Sequence, residues 1–506
     1  MRIIRATSNP TDLLRYAAVA LVCFIFDVAA PPHIGLTAAS VLFLGWSCVV
    51  VVRESRQCGL VMNPLVAYQA WGAATLGIST TWTAFSYAAT GYVPFGPRNI
   101  ALANVARGHA VMVVGVCAMY IGMKVSRPSE RLAQRGALVP PSAGLLTFAG
   151  ALGAAAYLFR EPLTEAVGST ITNFIGAFPL AITCLALITP PTAVRGVPGA
   201  KATLAIGSTL MLLLLYAHRD SKMDIMFGFF PLLWLLLLRR VSWWILAPVG
   251  TMLCLVYLLF VAPLVTTARN QASAHQATTL QVWSDWVAAD ILPLLTESVV
   301  NNADLLLSDW SEKTVSRLCD PCAAGAIIEI TDQQGLEWGR TMNYVLVGFV
   351  PRMFWKAKPN LDRGREFTAE LGIASSAETA HTSTGQTSPG ELYRNFGWIG
   401  VILGMLVLGL GIGGFWWGAA GPDPRVGIFE MTAYTGAMLS FILASGSAAG
   451  AILLGCVFSG LLCRIGIYLR DYIFTRSKRS RHQADRGTSL GAPTRSRDPQ
   501  YRAIVR

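Results

Sequence analysis

Charge is what this chain has least of. Only 13% of its 506 residues are Asp, Glu, Lys or Arg, about half the share found in a soluble globular protein. So little charge cannot cover the three soluble domains that the length alone would suggest. The GxxxxGK[ST] phosphate loop, HExxH, GxSxG and a paired CxxC…CxxC are all missing, which removes the usual signatures of soluble enzymes. Ten cysteines spread over this length are too dilute for a disulfide-stapled secreted scaffold. What fills the chain is apolar: 53% of residues are hydrophobic and the mean hydropathy is +0.50. Disorder and a collagen-like fibre are excluded by the same figures, leaving an integral membrane protein.

A helix crosses the hydrocarbon core with about 20 apolar residues. Such runs occur near 14–30, 34–52, 64–87, 108–124, 140–158, 168–189, 202–218, 223–238, 242–262, 397–417, 427–444 and 447–468. The pattern predicts an all-α polytopic bundle of about twelve transmembrane helices. Only Arg219, Asp220, Ser221 and Lys222 part the seventh and eighth. The first run is not a cleavable signal, because Ala29 and Ala30 meet Pro31-Pro32 and another apolar run follows at once. With the N-terminus inside, most of the 40 Lys and Arg fall on the cytoplasmic side, as the positive-inside rule requires. The net charge of +12 is then orientation signal and tail, and no nucleic-acid partner is needed.

Four regions follow: an N-terminal membrane bundle over 1–262, a large periplasmic loop over 263–396, C-terminal membrane helices over 397–468, and a basic cytoplasmic tail over 469–506. The tail from Arg476 onward reads as disordered chain near anionic headgroups. The loop holds more than half of the 28 acidic residues, and a structureless loop this long is uncommon without a role. Its first half reads as a helix on the membrane surface, with Trp283, Trp286, Val287, Ile291, Leu294 and Leu295 at three- and four-residue steps. Its second half carries Arg352, Lys356, Lys358 and Arg365. It closes on Glu391-Leu392-Tyr393-Arg394-Asn395 ahead of a helix with the small-residue pairs Gly400/Gly404, Gly409/Gly413 and Gly414/Gly418. That cluster could be a plain helix start with an interfacial aromatic belt. The basic group earlier in the same loop favours a site.

Smaller signals are weaker. Most cysteines fall inside spans as packing residues. Cys319-Asp320-Pro321-Cys322 lies in the outer loop and reads as a local disulfide ahead of free thiols or a redox centre, with no second ligand pair for zinc. His381 reads as solvated, and His33, His109 and His218 sit near span ends. Asp27 lies within the first span, where a carboxylate suggests a site by default. Glu430 and Arg425 flank the eleventh.

The order of features, the segment Gly339…Phe349-Val350-Pro351-Arg352…Trp355…Lys358-Pro359 and the string Gly390-Glu391-Leu392-Tyr393-Arg394-Asn395-Phe396-Gly397…Gly400 together resemble the bacterial oligosaccharide repeat-unit polymerases, the Wzy type of O-antigen, capsule and exopolysaccharide assembly. The specific part covers about 60 residues, Gly339 to Gly400. The resemblance implies a GT-C-like helical bundle in the bacterial inner membrane with both termini cytoplasmic. It also implies glycosyl transfer at the periplasmic face, joining repeat units carried on undecaprenyl diphosphate. No cofactor or metal is expected. The expected partners are the lipid-linked oligosaccharide, membrane lipids, a flippase and a chain-length regulator.

The leaving group in such a transfer is a diphosphate, which Arg matches with a planar, charged fork. Arg352, Lys358 and Arg394 are the leading diphosphate candidates, followed by Lys356, Arg365, Arg269 and Arg219. An acceptor hydroxyl needs a base, and Glu391 is the leading base or structural carboxylate. Tyr393 and Asn395 would order the acceptor sugar. Two other readings share much of this chemistry: an O-antigen ligase or other lipid-linked-sugar glycosyltransferase, and a transporter or flippase. Against a transporter stands the lack of an internal repeat.

Overall fold

The computed structural model describes residues 10–58, 64–126, 143–167, 169–188, 197–217, 319–348, 363–377, 384–415 and 449–488, with scattered positions between 228 and 435. The chain is mostly helical there. The elements are α1 (Pro10–Ala29), α2 (Pro32–Cys58), α3 (Pro64–Gly72), a π-helical segment (Ala73–Ser79), α4 (Thr80–Ser86), β1 (Tyr92–Phe95), β2 (Arg98–Ala101) and α5 (Leu102–Val125). They continue with α6 (Ala143–Leu158), α7 (Arg160–Val167), α8 (Ser169–Gly176), α9 (Phe178–Ile188) and α10 (Ala200–Ala217). After the loop begins come α11 (Asp320–Gln334), α12 (Asn343–Gly348), α13 (Arg363–Glu370), α14 (Ser388–Phe415) and α15 (Ala449–Thr488).

Among the described residues four helices are long and apolar enough to cross a membrane: Pro32–Arg53, Leu102–Val125, Ser388–Phe415 and Ile452–Arg470. This is a membrane protein by length and composition of its helices. Large apolar side chains such as Leu14, Leu21, Ile25, Leu210 and Leu214 are well exposed on the outside of the bundle, as lipid contact requires. α1 is 20 residues long but carries Asp12, Arg15 and Asp27. The expected run at 168–189 is broken at Ala177 into α8 and α9, because Pro179 cannot continue the hydrogen-bond ladder of the preceding turn. The runs at 223–238, 242–262 and 427–444 lie almost wholly outside the described residues, as does the surface helix expected around Trp283–Leu295. α15 extends through Thr488, so the tail is helical twelve residues beyond Arg476, where disordered chain was expected. Arg, Lys, Gln and Ala there are strong helix formers.

α5 is the centre of the bundle. Its glycines let other backbones approach closely. A Cβ at Gly108 would lie 2.4 Å from Pro321 O in α11, and one at Gly122 would lie 2.3 Å from Leu406 O in α14. A second hydrophobic cluster caps one end of the bundle, where α2 and α5 begin and α4 finishes. It gathers Leu36, Ala84, Val93, Ile100, Cys319, Cys322, Phe367 and Leu371. The hairpin β1–β2 pairs Tyr92 with Ala101 and Phe95 with Arg98, and turns at Gly96 with φ 62°. Arg98 then donates to the carbonyls of Leu371 and Glu370, fixing α13 to the cap. Cys319 and Cys322 are disulfide-bonded, the local bridge expected from their spacing.

α14 is not one straight helix. Gly397 has φ 63° and ψ −152°, and the chain folds back there. In a continuous helix Pro389 and Met405 would stand about 24 Å apart. Instead both meet the space beside Gly115, with Pro389 Cγ 2.8 Å and Met405 Cγ 3.3 Å from a notional Cβ. Leu392 likewise lies against both Gly400 and Gly404. Residues 388–396 therefore form a short arm antiparallel to the long arm 398–415. Because Gly115 is near the middle of α5, the short arm starts deep in the bundle and rises to its end.

Candidate functional site

The short arm is built to begin and end inside protein. Thr387, with φ 60°, caps its start: its Oγ1 accepts from the Gly390 N–H at 3.0 Å and its carbonyl from the Glu391 N–H at 3.0 Å. At the tip, the carbonyls of Arg394 and Asn395 have no helical successor to bond. Glu337 N–H donates to Arg394 O and Trp338 N–H to Asn395 O, each at 3.0 Å. Asn395 completes the clamp. Its Oδ1 accepts from Gly339 N–H at 2.9 Å, and its Nδ2 donates to Thr341 Oγ1 at 2.6 Å and to Glu391 O at 2.8 Å. Irregular backbone at membrane depth is tolerated only where protein or a cavity surrounds it; Gln386, Thr387 and Ser388 are all buried.

Glu391 is fully buried. Its Oε2 accepts from Tyr344 Oη at 3.0 Å and from the Ala449 N–H at 2.8 Å. Tyr344 Oη in turn accepts from the Gly450 N–H at 3.0 Å. The carboxylate thus faces the N-terminal end of α15, where backbone N–H groups and the helix dipole favour negative charge. Its Oε1 has no partner among the described residues. One oxygen is held and the other is left over.

Arg394 is equally buried, with its side chain 4% exposed, but its charge is engaged. Nη1 lies 2.5 Å from Glu370 and Nη2 3.4 Å from Glu337. Glu337 also takes two bonds from Arg340. In this arrangement Arg394 ties the arm to α13 and to the 337–340 turn, and its Nε has no partner among the described residues. Tyr393 is partly buried, its hydroxyl at 3.5 Å from Arg107 Nη2 and its ring edge-on to Trp398. Arg107 is also paired with Asp332. Arg365 is exposed on α13. Arg219, Arg269, Arg352, Lys356, Lys358, His381 and Arg425 lie outside the described residues.

The structure brings Glu391, Arg394 and Asn395 into one cluster and adds partners that the sequence did not single out: Tyr344, Glu337, Glu370 and Thr341. In the sequence Tyr344 heads the apolar run Tyr344–Val350 and carries no polar signal of its own. Asp27 and His109, each noted alone, are partners: Nδ1 lies 2.7 Å from Asp27 Oδ2, both side chains are fully buried, and Nε2 lies 3.1 Å from Leu76 O in the π-helical segment. Glu430 pairs with Arg470. No group of three His, Cys, Asp or Glu side chains able to hold a metal ion occurs among the described residues. Comparison with known protein families, with curated proteins and with solved structures returns no match.

Proposed function

We propose that this chain polymerises undecaprenyl-diphosphate-linked oligosaccharide repeat units by glycosyl transfer at the periplasmic face of the bacterial inner membrane. The bundle would have about twelve spans, a GT-C-like arrangement, and both termini in the cytoplasm. The observation that carries the reading is Glu391: a carboxylate in the Gly390–Gly400 string, buried in a re-entrant arm, with Oε2 fixed and Oε1 unpartnered among the described residues. Oε1 is the oxygen left to take a proton. An acceptor hydroxyl would attack the anomeric carbon of the growing chain as its proton passes to Oε1. The carbon–oxygen bond to the diphosphate breaks, and undecaprenyl diphosphate leaves with the electron pair. A preorganised cation beside that leaving group would supply most of the electrostatic stabilisation. Tyr344 and the α15 N-terminus hold the base in place, while Arg394 and Asn395 hold the arm.

The purified protein, given only the lipid-linked repeat unit, is expected to make longer oligosaccharides and free undecaprenyl diphosphate without nucleotide or added metal. Glu391→Gln keeps the shape and the Tyr344 contact but cannot take the proton, and is expected to slow the reaction about 100-fold or more. Failure of the native protein to lengthen the unit removes the polymerase reading. Lipid-linked units confined to the cytoplasmic leaflet after deletion would assign transport instead.

A further inference from the structure

Among the buried polar atoms with no partner among the described residues are Nε and Nη2 of Arg363, Nε2 and Oε1 of Gln386, and Oε1 of Glu391. Unpaired buried groups are rare in folded proteins, and each carries its full desolvation cost. These three side chains stand on segments that backbone hydrogen bonds tie together. The Thr384 N–H donates to Gly364 O at 3.2 Å and to Thr368 Oγ1 at 2.9 Å, and the two threonine hydroxyls meet at 3.0 Å. Those bonds hold the segment that leads into Gln386 against the first turns of α13, the helix that Arg363 opens. Gln386 directly precedes Thr387, the cap of the arm that carries Glu391, and the Arg363 charge acts on the Glu391 carboxylate.

The free atoms have a definite chemistry. Glu366 engages the Nη1 end of the Arg363 guanidinium, which leaves the Nε–Nη2 edge. These two N–H groups point the same way and form the fork that takes a pair of phosphate oxygens bidentately. Gln386, 2% exposed, offers an acceptor and a donor side by side, as a sugar hydroxyl requires. Glu391 Oε1 offers a second acceptor. An apolar ligand would leave all of these unsatisfied, and a simple carboxylate would give neither the amide nor Glu391 a hydroxyl to bond.

We propose that Arg363, Gln386 and Glu391 line a buried subsite for a phosphoryl group bonded to a sugar, with the Arg363 fork on the phosphoryl oxygens. Two molecules share that chemistry: a polyprenyl-diphosphate-linked sugar and a hydroxylated phospholipid headgroup. The choice of the first rests on the function proposed above; the subsite itself does not.

The test uses detergent-purified full-length protein and three probes: an undecaprenyl-diphosphate-linked monosaccharide, bare undecaprenyl diphosphate, and phosphatidylinositol. The monosaccharide probe is expected to bind saturably, with Arg363→Ala weakening it about tenfold or more and Arg363→Lys recovering only part, since an ammonium keeps the charge and loses the fork. Gln386→Met is expected to weaken the sugar-bearing probe more than bare undecaprenyl diphosphate. It should also raise the melting temperature of the unliganded protein by about 2 °C, because an orphaned amide is replaced by an apolar group of similar size. Saturable binding of phosphatidylinositol alone, still dependent on Arg363, would support the subsite and assign the headgroup as its ligand. Unchanged binding of all probes in Arg363→Ala would overturn the subsite, as would a lower melting temperature with unchanged binding in Gln386→Met. Arg363-dependent binding without polymer would support the subsite and sink the polymerase reading. Wild-type polymer formation by Arg363→Ala, with the binding of all three probes unchanged, would do the reverse.

Discussion

Two arginines are engaged to different extents. Arg394 gives both terminal nitrogens to Glu370 and Glu337 and leaves only Nε over, whereas Arg363 gives Nη1 to Glu366 and leaves the whole Nε–Nη2 edge unpartnered among the described residues. Glu337 shows what the first arrangement contributes. The hydrogen bond from Arg340 holds its carboxyl below the usual glutamate range, and the charges of Arg340 and Arg394 add to this against the opposing effect of its burial. A group whose folded-state value is depressed stabilises the fold above its unfolded value, and that stabilisation is lost as pH falls through the folded value. Glu337→Gln is therefore expected to cost about 1 kcal/mol at neutral pH. The difference from wild type should shrink as pH drops below about 4.3, the unfolded glutamate value. Thermal unfolding in detergent at neutral and acid pH measures it. An equal penalty at both would mean that the lost contact is one of shape rather than charge.

At the scale of elements, the fold-back at Gly397 is the feature that places the site. Its backbone, φ 63° and ψ −152°, belongs to the region that residues with a Cβ avoid at a cost of about 1–3 kcal/mol. Gly397→Ala separates two architectures by sign. In a straight helix alanine would stabilise by about 1 kcal/mol; in this hairpin it should lower the melting temperature and the amount of inserted protein. The sequence showed part of this and hid the rest. The apolar run beginning near 397 matches the long arm, and the glycine pairs announced close packing. Nothing in the spacing said that the arm bearing Glu391 and Arg394 folds back on the span it precedes, because a turn glycine and a packing glycine look alike in a helical pattern. Runs 34–52, 108–124 and 202–218 were legible because they are long and continuous. The Asp27–His109 pair was not, since only the packing of α1 on α5 brings residues 82 apart in sequence into contact.

The whole molecule has two chemically different ends. At one, Arg53 pairs with Asp12, and Lys124 acts on the same carboxylate while lying over the Tyr120 ring at 5.3 Å. The long arm of α14 reaches that end too, since a Cβ at Gly413 would meet Ser126 Oγ at 2.0 Å. Gly460 faces Phe415, which brings the basic stretch from Arg464 onward to the same level. At the other end lie the β hairpin, the Cys319–Cys322 disulfide and α13. Basic residues near span ends favour a cytoplasmic side and a stable disulfide an oxidising one, and here the two features lie at opposite ends, which agrees with the proposed orientation. Reporter fusions truncated after residues 130 and 480 are expected to report cytoplasm, and a fusion after residue 330 to report periplasm. A thiol probe that cannot cross the membrane should label Cys319 and Cys322 in whole cells only after reduction and local opening of the buried bridge. A cytoplasmic signal at residue 330 would put the re-entrant arm, Glu391 and the Arg363 fork on the side where nucleotide sugars are available. The case for a lipid-linked donor at this site would then fall.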